Sequence, residues 1–599
     1  MAASNASTAS RCHALLTESL TKLTWWLSTV LRIRRRGRSR NSSILFLLTL
    51  AALATRLHRI NVDNRVVWDE THFGRFATRY INGEFYLDVH PPLGKMLLTL
   101  VYRTLGYSGG FEFNSGDTYP SSVPFVAARC VQAFLGALLA PVSVLILQTL
   151  HLPAAWAWIA GVSVALDNAL IGISRIVVLD SMLLLANALS VYAFVCFKQA
   201  QKRRLRLALV LGAALGLLCS IKLVGLLTLA VFNVFLIGDI IIYRGTAKGY
   251  LQELICLLSI NGIPLLVYIL GFLAQFSIFQ NYTPEADHMG SEYVTRLNNS
   301  ALSLQYPTIR SGSFVVLRSA EYPFEYLSAY AASSSSEYVL ATRRRLAVED
   351  YWGVQHPSSN SFSNKKSIGY GDTISLFVPK TSVRVSVLHR GLVGLENKSR
   401  NKNASADTAF YSRELAETGA SEWRIIPDRK HGNAHGFIPV VSKFRLQSIK
   451  HDCELAIDYR RLLYDKHLID NPVSVPQQHL FKCAERGRGT LWNIEHHLST
   501  VAETPINLSQ YVCVSHFRDF SSYNRLMHEL NGMLVSDPDQ ISPVESHPLG
   551  WPFLAHPMPM VQWQPEEASA KKLINSALDT CSTVTCPKRV SNAASTLQP

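Results

Sequence analysis

The sequence is poor in charged residues and in cysteine, and each shortage excludes a class of protein. Only 17 % of the 599 residues are Asp, Glu, Lys or Arg. Soluble domains contain about 25 %, so a wholly soluble chain is excluded. Ten cysteines without a C-x-x-C pair exclude a disulfide scaffold and a zinc ribbon. A hydrophobic share of 48 % is too high for a disordered chain.

Long hydrophobic runs are absent after residue 280 but frequent before it. Because about 20 apolar residues cross the hydrocarbon of a bilayer, these runs predict transmembrane helices. The seven candidate spans are 43–60, 123–148, 154–172, 176–197, 205–221, 223–243 and 253–279. The N-terminal half is therefore predicted to be a polytopic α-helical membrane domain.

The net charge of +15 first suggests a nucleic-acid partner, but its distribution favours a membrane. Basic clusters precede the first span and follow the fourth and the sixth, at 32–40, 198–206 and 244–248. With a cytosolic N-terminus all three clusters lie on the cytosolic side, as the positive-inside rule requires. We therefore expect a lipid bilayer and no nucleic acid as partner. Everything after residue 280 should emerge on the opposite face.

Three tryptophans mark a repeat in the second half of the chain. Trp352, Trp423 and Trp492 are spaced 71 and 69 residues apart, and each begins a Trp-x-aliphatic pattern. Alternating, strand-like runs precede them at 313–317, 373–378 and 443–449. Three equivalent β units predict a closed three-fold barrel such as a β-trefoil. The alternative is a chance spacing of three tryptophans.

The sequence divides into six parts, the later ones set by changes in composition. Phe517, Phe520, Leu526, Leu530 and Met533 recur at near-helical spacing and predict a helical return towards the membrane. The predicted parts are a basic N-terminus (1–42), a membrane domain (43–280) with a first loop at 61–122, a linker (281–310), a three-repeat β domain (311–500), the returning segment (501–563) and a polar tail (564–599).

The first loop has the densest cluster of side chains that could carry chemistry. Asp69 and Glu70 are paired carboxylates with His72 close behind, and such a pair can supply a general base for a hydroxyl nucleophile. The run from Asp88 through His90 to Lys95 contains two prolines that suit a helix start, where free N–H groups and a lysine bind phosphate. On spacing alone, a solvated acidic pair and an ordinary helix start remain alternatives.

Four charged residues lie in or beside the predicted spans: Arg129, Arg175, Asp180 and Lys222. A charge in the membrane costs roughly 2.5–3.5 kcal/mol on insertion scales, so it usually pairs or lines a polar cavity. Arg175 and Asp180 could form a structural pair, and Lys222 could extend to the interface. Arg129 has the strongest claim to a functional role.

The motifs together resemble those of the protein O-mannosyltransferase family. Residues 67–73 (VWDETHF) and 88–95 (DVHPPLGK) resemble the first luminal loop of that family. Residues 175–180 (RIVVLD) and 220–226 (SIKLVGL) resemble its later membrane motifs. The Trp-x-aliphatic repeats resemble its luminal MIR domain, a β-trefoil, and the third repeat, around 490–497 (TLWNIEHH), is the best match.

The resemblance implies a C-type glycosyltransferase that moves mannose from dolichyl phosphate mannose to Ser or Thr hydroxyls of proteins in the lumen of the endoplasmic reticulum. It implies an inverting single displacement with Asp69 as base and Glu70 orienting the acceptor or the base. It assigns the donor phosphate and its pocket to Arg129, Lys222, His90 and Lys95. Supporting roles fall to His72, Asp88, Arg175 and Asp180. No cofactor or metal is expected, and the enzyme should dimerise with itself or a related mannosyltransferase.

The tail departs from the family pattern, which continues with further spans after the MIR domain. The last membrane spans are therefore expected to be missing from this chain, which favours one rival function, an inactive membrane-anchored MIR module that binds glycans or client proteins. A second rival is a different C-type glycosyltransferase with another acceptor. Among five cysteines expected in the lumen, Cys453 and Cys483 are the first choice for a disulfide, and other pairings stay open.

Overall fold

The structure is a computed structural model. It describes residues 38–200, 202–242, 246–333, 336–342, 350–357, 366–379, 384–387, 393–396, 421–428, 437–462, 479–498 and 503–533. Most of the predicted basic N-terminus, the part of the returning segment after Met533 and the whole polar tail lie outside these residues.

The first half of the chain is helical. Its helices are α1 (Arg38–Leu57), α2 (Glu70–Asn82), α3 (Pro92–Thr104), α4 (Phe125–Ala137), α5 (Leu139–Thr149), α6 (Ala154–Leu166), α7 (Asn168–Ile173), α8 (Asp180–Gln199), α9 (Arg204–Ile221), α10 (Gly225–Ile242) and α11 (Ala247–Ile278). A short helix, α12 (Ser291–Thr295), follows in the linker, and α13 (His516–Met533) comes after the β domain.

Each predicted span contains an apolar helix, with two changes in detail. In the described part of the chain, five helical segments are long and apolar enough to cross a membrane, whereas Ser42–Leu57 and Ala154–Leu166 are shorter apolar helices. The predicted span 154–172 is broken because the Asp167 carboxylate accepts a hydrogen bond from the Leu170 amide (2.8 Å) and starts α7. The last span is longer than predicted, at 32 residues.

The first loop folds against the membrane helices through α2 and α3. Helix α2 buries Phe73, Ala77 and Tyr80, which lie on one face at helical spacing. It ends at Gly83, whose φ of 67° closes the helix and suits glycine. Helix α3 begins with Pro92 at its first turn, as the two prolines predict. Both helices contribute buried side chains to the core of the membrane domain.

The second half of the chain is rich in strands, and those between Phe314 and Leu498 form a β domain. The strands are β1 (Leu304–Gln305), β2 (Phe314–Ser319), β3 (Tyr326–Ser333), β4 (Ser336–Thr342), β5 (Tyr351–Gln355), β6 (Thr373–Phe377), β7 (Arg384–Val387), β8 (Val393–Glu396), β9 (Trp423–Pro427), β10 (Phe444–Ser448), β11 (Glu454–Leu462), β12 (His479–Ala484), β13 (Trp492–Leu498) and β14 (Ile506–Asn507). Strands β1 and β14 pair with each other, outside this domain.

The strand pairing is that of a β-trefoil. Antiparallel pairing joins β2 to β5, β5 to β6, β6 to β9, β9 to β10, β10 to β13 and β13 back to β2, which closes a six-stranded barrel. The hairpins β3–β4, β7–β8 and β11–β12 complete the three units. Cys453 and Cys483, next to and in the third hairpin, form the disulfide that was the first choice.

The three repeat tryptophans are equivalent in the structure. Trp352, Trp423 and Trp492 lie on alternate barrel strands and are fully buried in one core. Each indole N–H donates to a backbone carbonyl in the first strand of a hairpin, at 2.7, 3.1 and 3.0 Å respectively. The even spacing therefore reports a structural repeat and not chance.

Helix α13 returns towards the membrane domain, but with a different buried face from the predicted one. Phe517 is 82 % exposed. The buried side chains are Asp519, Ser522, Tyr523, Leu526 and Met527. The predicted stripe is wrong at both ends, since Met533 is also exposed (62 %), and it is right at Leu526. The buried face is shifted because the helix packs against the first loop and α11 through Tyr523.

Candidate active site in the first loop

Glu70, the first residue of α2, is buried (1 % exposed) and accepts five hydrogen bonds. Its donors are the Val67 amide (3.2 Å), the Tyr119 hydroxyl (3.0 Å), the Val177 amide (3.0 Å) and two nitrogens of Arg129 (2.8 and 2.6 Å). These donors come from the loop, from α4 and from the segment before α8. Glu70 therefore ties three parts of the membrane domain together and has little capacity left to accept a substrate proton.

Arg129 is committed to the same anchor. It is 3 % exposed, and besides Glu70 it donates to the backbone carbonyls of Asp63 (2.5 Å) and Arg65 (3.0 Å). Four of its five N–H groups are thereby used. These contacts hold the Arg129 side chain against Glu70 and the loop backbone, and the hypothesis that it binds the donor phosphate stays a prediction.

The Asp69 side chain differs from that of Glu70 both in burial and in hydrogen bonding. Asp69 is half-buried, and it makes no hydrogen bond or ion pair with any residue that the structure describes. Its backbone carbonyl accepts from His72 (3.0 Å) and Phe73 (3.1 Å), so the residue is fixed at the N-terminus of α2. Asp69 is therefore a positioned carboxylate that is free to take a proton.

The backbone just before Asp69 is strained. Trp68 has a φ of 45°, in the left-handed region that bulky residues rarely adopt. Such outliers persist where the surrounding structure over-determines them, and they cluster at active sites. Here the Glu70 carboxylate holds the Val67 amide on one side and α2 begins on the other, so the strain is confined to the residue beside Asp69.

Lys95 is buried beside Asp88. It is 1 % exposed, forms an ion pair with Asp88 and donates to the His90 carbonyl (2.8 Å). Its ammonium group also lies 5.3 and 5.4 Å from the ring centroids of Phe76 and Tyr86. Burial alone would raise the pKa of Asp88, but the Lys95 ammonium more than offsets this and the pKa is lowered. Lys95 and Lys222 each use two of three ammonium donors, but Lys95 is 1 % exposed and Lys222 is 18 % exposed. The phosphate-binding hypothesis for Lys95 therefore stays a prediction, with burial as the argument against it.

A second ion pair lies near His90. Lys222, in the turn between α9 and α10, donates to both carboxylate oxygens of Asp180 at 2.9 and 3.0 Å. An ammonium group has three donors, so one remains for another ligand. The pKa of His90 is lowered first by burial, is raised again by Asp88, and is lowered further by Lys222 and Lys95. His90 therefore lies within electrostatic reach of both ion pairs and is neutral near pH 7.

Arg175 and His72 do not join this cluster. Arg175 donates to carbonyls at the end of α1, including those of Arg56 (2.8 Å) and His58 (2.7 Å). The suggested Arg175–Asp180 pair is therefore wrong, because Asp180 pairs with Lys222 instead. His72 is exposed on α2. No group of three His, Cys, Asp or Glu suited to a metal occurs in the described ranges, and the expectation of metal-free chemistry stays a prediction.

Sequence reasoning missed Tyr119 and the strained Trp68. Tyr119 lies 49 residues from Glu70 in an irregular part of the loop, where no periodic pattern signals its contact. The φ of Trp68 likewise follows from long-range contacts and leaves no trace in residue type. Only the position of Trp68 directly before the two carboxylates could have drawn attention to it.

Comparison with known proteins gives one consistent picture. Residues 46–280 match the family model for dolichyl-phosphate-mannose-protein mannosyltransferase. The chain is similar to dolichyl-phosphate-mannose–protein mannosyltransferase 6 of Candida albicans, with 24 % identity over 90 % of this chain and 71 % of the relative. Similarity to mannosyltransferase 1 of Saccharomyces cerevisiae is 27 % over 85 % of this chain and 63 % of the relative.

A solved structure has the same fold. The S. cerevisiae protein O-mannosyltransferase Pmt1-Pmt2 complex bound to the sugar donor matches with a TM-score of 0.67 and 24 % identity. The match covers 88 % of this chain and 72 % of the solved one. It includes both the helical membrane domain and most of the length of the β domain, so the predicted fold class is confirmed.

Proposed function

Because the chain belongs to the protein O-mannosyltransferase family, we propose that it transfers mannose from dolichyl phosphate mannose to Ser or Thr hydroxyls of proteins. One observation carries the proposal for the site. Two adjacent carboxylates have opposite environments: Glu70 is buried and accepts five hydrogen bonds, whereas Asp69 is half-buried and has no side-chain partner among the residues that the structure describes. Such a division of roles fits one catalytic base held in place by one structural acid.

The proposed reaction is a single displacement. The acceptor hydroxyl oxygen attacks the anomeric carbon of mannose as the Asp69 carboxylate takes the hydroxyl proton. The bond from that carbon to the phosphate oxygen breaks, and the electron pair leaves on dolichyl phosphate, so the configuration is inverted. A phosphate is a good leaving group, so no second carboxylic acid is needed, unlike in glycosidases. Glu70 and Arg129 position Asp69 without touching the reacting atoms.

The donor phosphate is assigned to the side of the site around Lys222. Two of the three ammonium donors of Lys222 are used by Asp180, and the third supplies a positive contact for the phosphate. His90 is neutral near pH 7 and can donate one ring N–H. We prefer Lys222 to Arg129 and Lys95 for this role because it is 18 % exposed, whereas the other two side chains are 3 % and 1 % exposed and pair with Glu70 and Asp88.

The apolar helices and the family match support a multi-pass membrane protein. We propose that it lies in the membrane of the endoplasmic reticulum, with a cytosolic N-terminus and with the first loop and β domain in the lumen. The similar solved structure is a complex of two mannosyltransferases. By this analogy the chain pairs with itself or with a related mannosyltransferase.

The direct test is transfer of radiolabelled mannose from dolichyl phosphate mannose to a Ser/Thr-rich peptide, in membranes that contain this chain. Wild type should label the peptide and Asp69→Asn should not. Asp117→Asn is the matched control, because Asp117 is another half-buried loop carboxylate with no side-chain partner among the described residues.

Each outcome separates the proposal from its rivals. Labelling that dolichyl phosphate glucose competes away, or that survives Asp69→Asn, would contradict it. No labelling by an inserted, folded chain in the presence of a related mannosyltransferase would favour the membrane-anchored binding module. Equal loss in Asp69→Asn and Asp117→Asn would assign the effect to loop charge and not to a base.

A further inference from the structure

Helix α13, which follows the β domain, packs onto the first loop through an aromatic cluster. Tyr523 is 1 % exposed, and its ring lies 6.1 Å from Phe85 of the loop and 5.6 and 5.8 Å from Phe272 and Phe276 of α11. A residue more than 400 positions away in sequence therefore shares a core with the loop. The cluster brings α13 beside the segment 85–90, directly before α3.

The polar groups of α13 hold the backbone of this segment. The Tyr523 hydroxyl donates to the Tyr86 carbonyl (3.1 Å), and the Asn531 amide donates to the Val89 carbonyl (3.0 Å). Asp88 and His90 are the two sequence neighbours of Val89. Both contacts are made to backbone groups, so they fix the path of the chain without consuming the loop side chains.

The linker holds the same segment from another direction. The Leu87 amide donates to the Glu285 carboxylate (2.8 Å), and the Thr283 hydroxyl donates to the Phe85 carbonyl (2.7 Å). Lys95 closes the segment by donating to the His90 carbonyl (2.8 Å). Backbone groups of five of the six residues from Phe85 to His90 are thus bound by groups outside the segment.

We infer that Tyr523 and Asn531 are positioning residues for donor binding, which rests on the function proposed above. They hold the segment 85–90 so that His90 faces the donor phosphate beside Lys222. The helix after the β domain thereby completes the donor side of the site. Neither residue touches the reacting atoms, so the expected effect is on the affinity for the lipid-linked donor and not on the chemical step.

The chain provides a matched control for this inference. Tyr268 of α11 donates to the Asn524 side chain of α13 (2.5 Å) and is part of the same aromatic cluster, but among the described residues its hydroxyl makes no hydrogen bond to the segment 85–90. Tyr268→Phe therefore loosens the docking of α13 by one hydroxyl, as Tyr523→Phe does, without releasing the loop. Asn531→Asp removes the amide donor at nearly constant shape.

The first experiment compares donor KM, acceptor KM and kcat for these variants in the transfer assay. Tyr523→Phe and Asn531→Asp should each raise the donor KM about fivefold, the loss expected for one hydrogen bond, and leave the acceptor KM unchanged. Tyr268→Phe should behave as wild type. An equal change in all three variants, or a fall in kcat at constant donor KM, would overturn the inference.

A second experiment is independent of activity and therefore of the proposed function. Hydrogen–deuterium exchange of the backbone amides of residues 84–96 should be faster in Tyr523→Phe and Asn531→Asp than in wild type and Tyr268→Phe. Unchanged exchange in both loop-contacting variants would show that α13 does not hold the segment. If these variants exchange faster but the wild-type chain transfers no mannose, α13 does hold the segment and the proposed function is contradicted.

Discussion

The first loop and the β domain bury polar groups in different ways. In the β domain one arrangement occurs three times, with the indole N–H of Trp352, Trp423 and Trp492 each donating to a hairpin carbonyl. In the loop each arrangement occurs once, and Glu70 gathers donors from positions 3 to 107 residues away. The comparison shows that a repeated structural unit can be predicted from regular spacing in the sequence, whereas a contact that occurs once between distant residues cannot.

The largest expected effect tests the buried ion pair between Glu70 and Arg129. Arg129→Ala leaves the buried Glu70 carboxylate without its charged partner, and breaking such a pair costs about 3–5 kcal/mol. We expect loss of transfer together with a lower melting temperature of the detergent-solubilised chain. Arg175→Ala is the control, since within the described part of the chain the Arg175 side chain donates to backbone carbonyls and leaves no buried carboxylate behind. Melting of Arg129→Ala at the wild-type temperature would show that the anchor is dispensable.

His497 is a position where the β domain departs from its repeat, because Pro357 and Asp428 occupy the corresponding places after the other two tryptophans. His497 is buried, and burial lowers its pKa to about 4, helped by the neighbouring His496. The unfolded chain therefore binds a proton more readily below pH 6.5. Stability should be full above pH 6.5 and should fall by about 2 to 3 kcal/mol on acidification to pH 4.5.

Thermal unfolding followed by tryptophan fluorescence at pH 7 and pH 4.5 measures this loss. His497→Gln should reduce the difference between the two pH values, whereas His451→Gln, a change at an exposed histidine of the same domain, should not. An unchanged pH dependence in His497→Gln would assign acid sensitivity to other groups.

The tryptophans offer a sharper form of the comparison. Trp→Phe at position 352, 423 or 492 leaves one hairpin carbonyl without its donor and one small cavity, at a cost of about 2 kcal/mol. If the three units are equivalent, the three losses measured by thermal unfolding should agree within about 1 kcal/mol. Losses that differ by more than this would show that the units share a pattern but not an energetic role.

The smallest expected effect concerns Trp68. Because its φ is 45°, Trp68→Gly should be more stable than Trp68→Ala by about 1 kcal/mol, the reverse of the usual order in regular elements. Comparing these two variants cancels the loss of the indole itself. If the alanine variant melts at the same or a higher temperature, the backbone at this position is not strained.

The fold could be predicted further than the site. Hydrophobic runs located the apolar helices, and the strand-like runs at 313–317, 373–378 and 443–449 correspond to β2, β6 and β10. The motif residues also cluster, since Asp88, His90 and Lys95 lie together with the Lys222–Asp180 pair nearby. Periodicity reports neighbours along one element, and that is sufficient for these features.

Pairing partners could not be predicted, because they lie on elements far apart in sequence. Arg129 is an unexplained membrane charge in the sequence, and only its contact with Glu70, 59 residues earlier, reveals an anchor. The motif likewise gives no partner for Lys95, whereas in the structure Asp88 and two aromatic rings surround its ammonium group. The different environments of Asp69 and Glu70 could not be predicted either, because the two acidic residues are adjacent in the sequence.

The division of roles between Asp69 and Glu70 is the central claim, and paired substitutions test it most directly. Asp69→Asn and Glu70→Gln should be compared for mannosyl transfer and for thermal stability in one preparation. Asp69→Asn should lower transfer by about 10²–10⁴-fold at the wild-type melting temperature, and Glu70→Gln should lower both transfer and the melting temperature. Transfer retained by Asp69→Asn, or a Glu70→Gln chain that melts as wild type, would contradict the account.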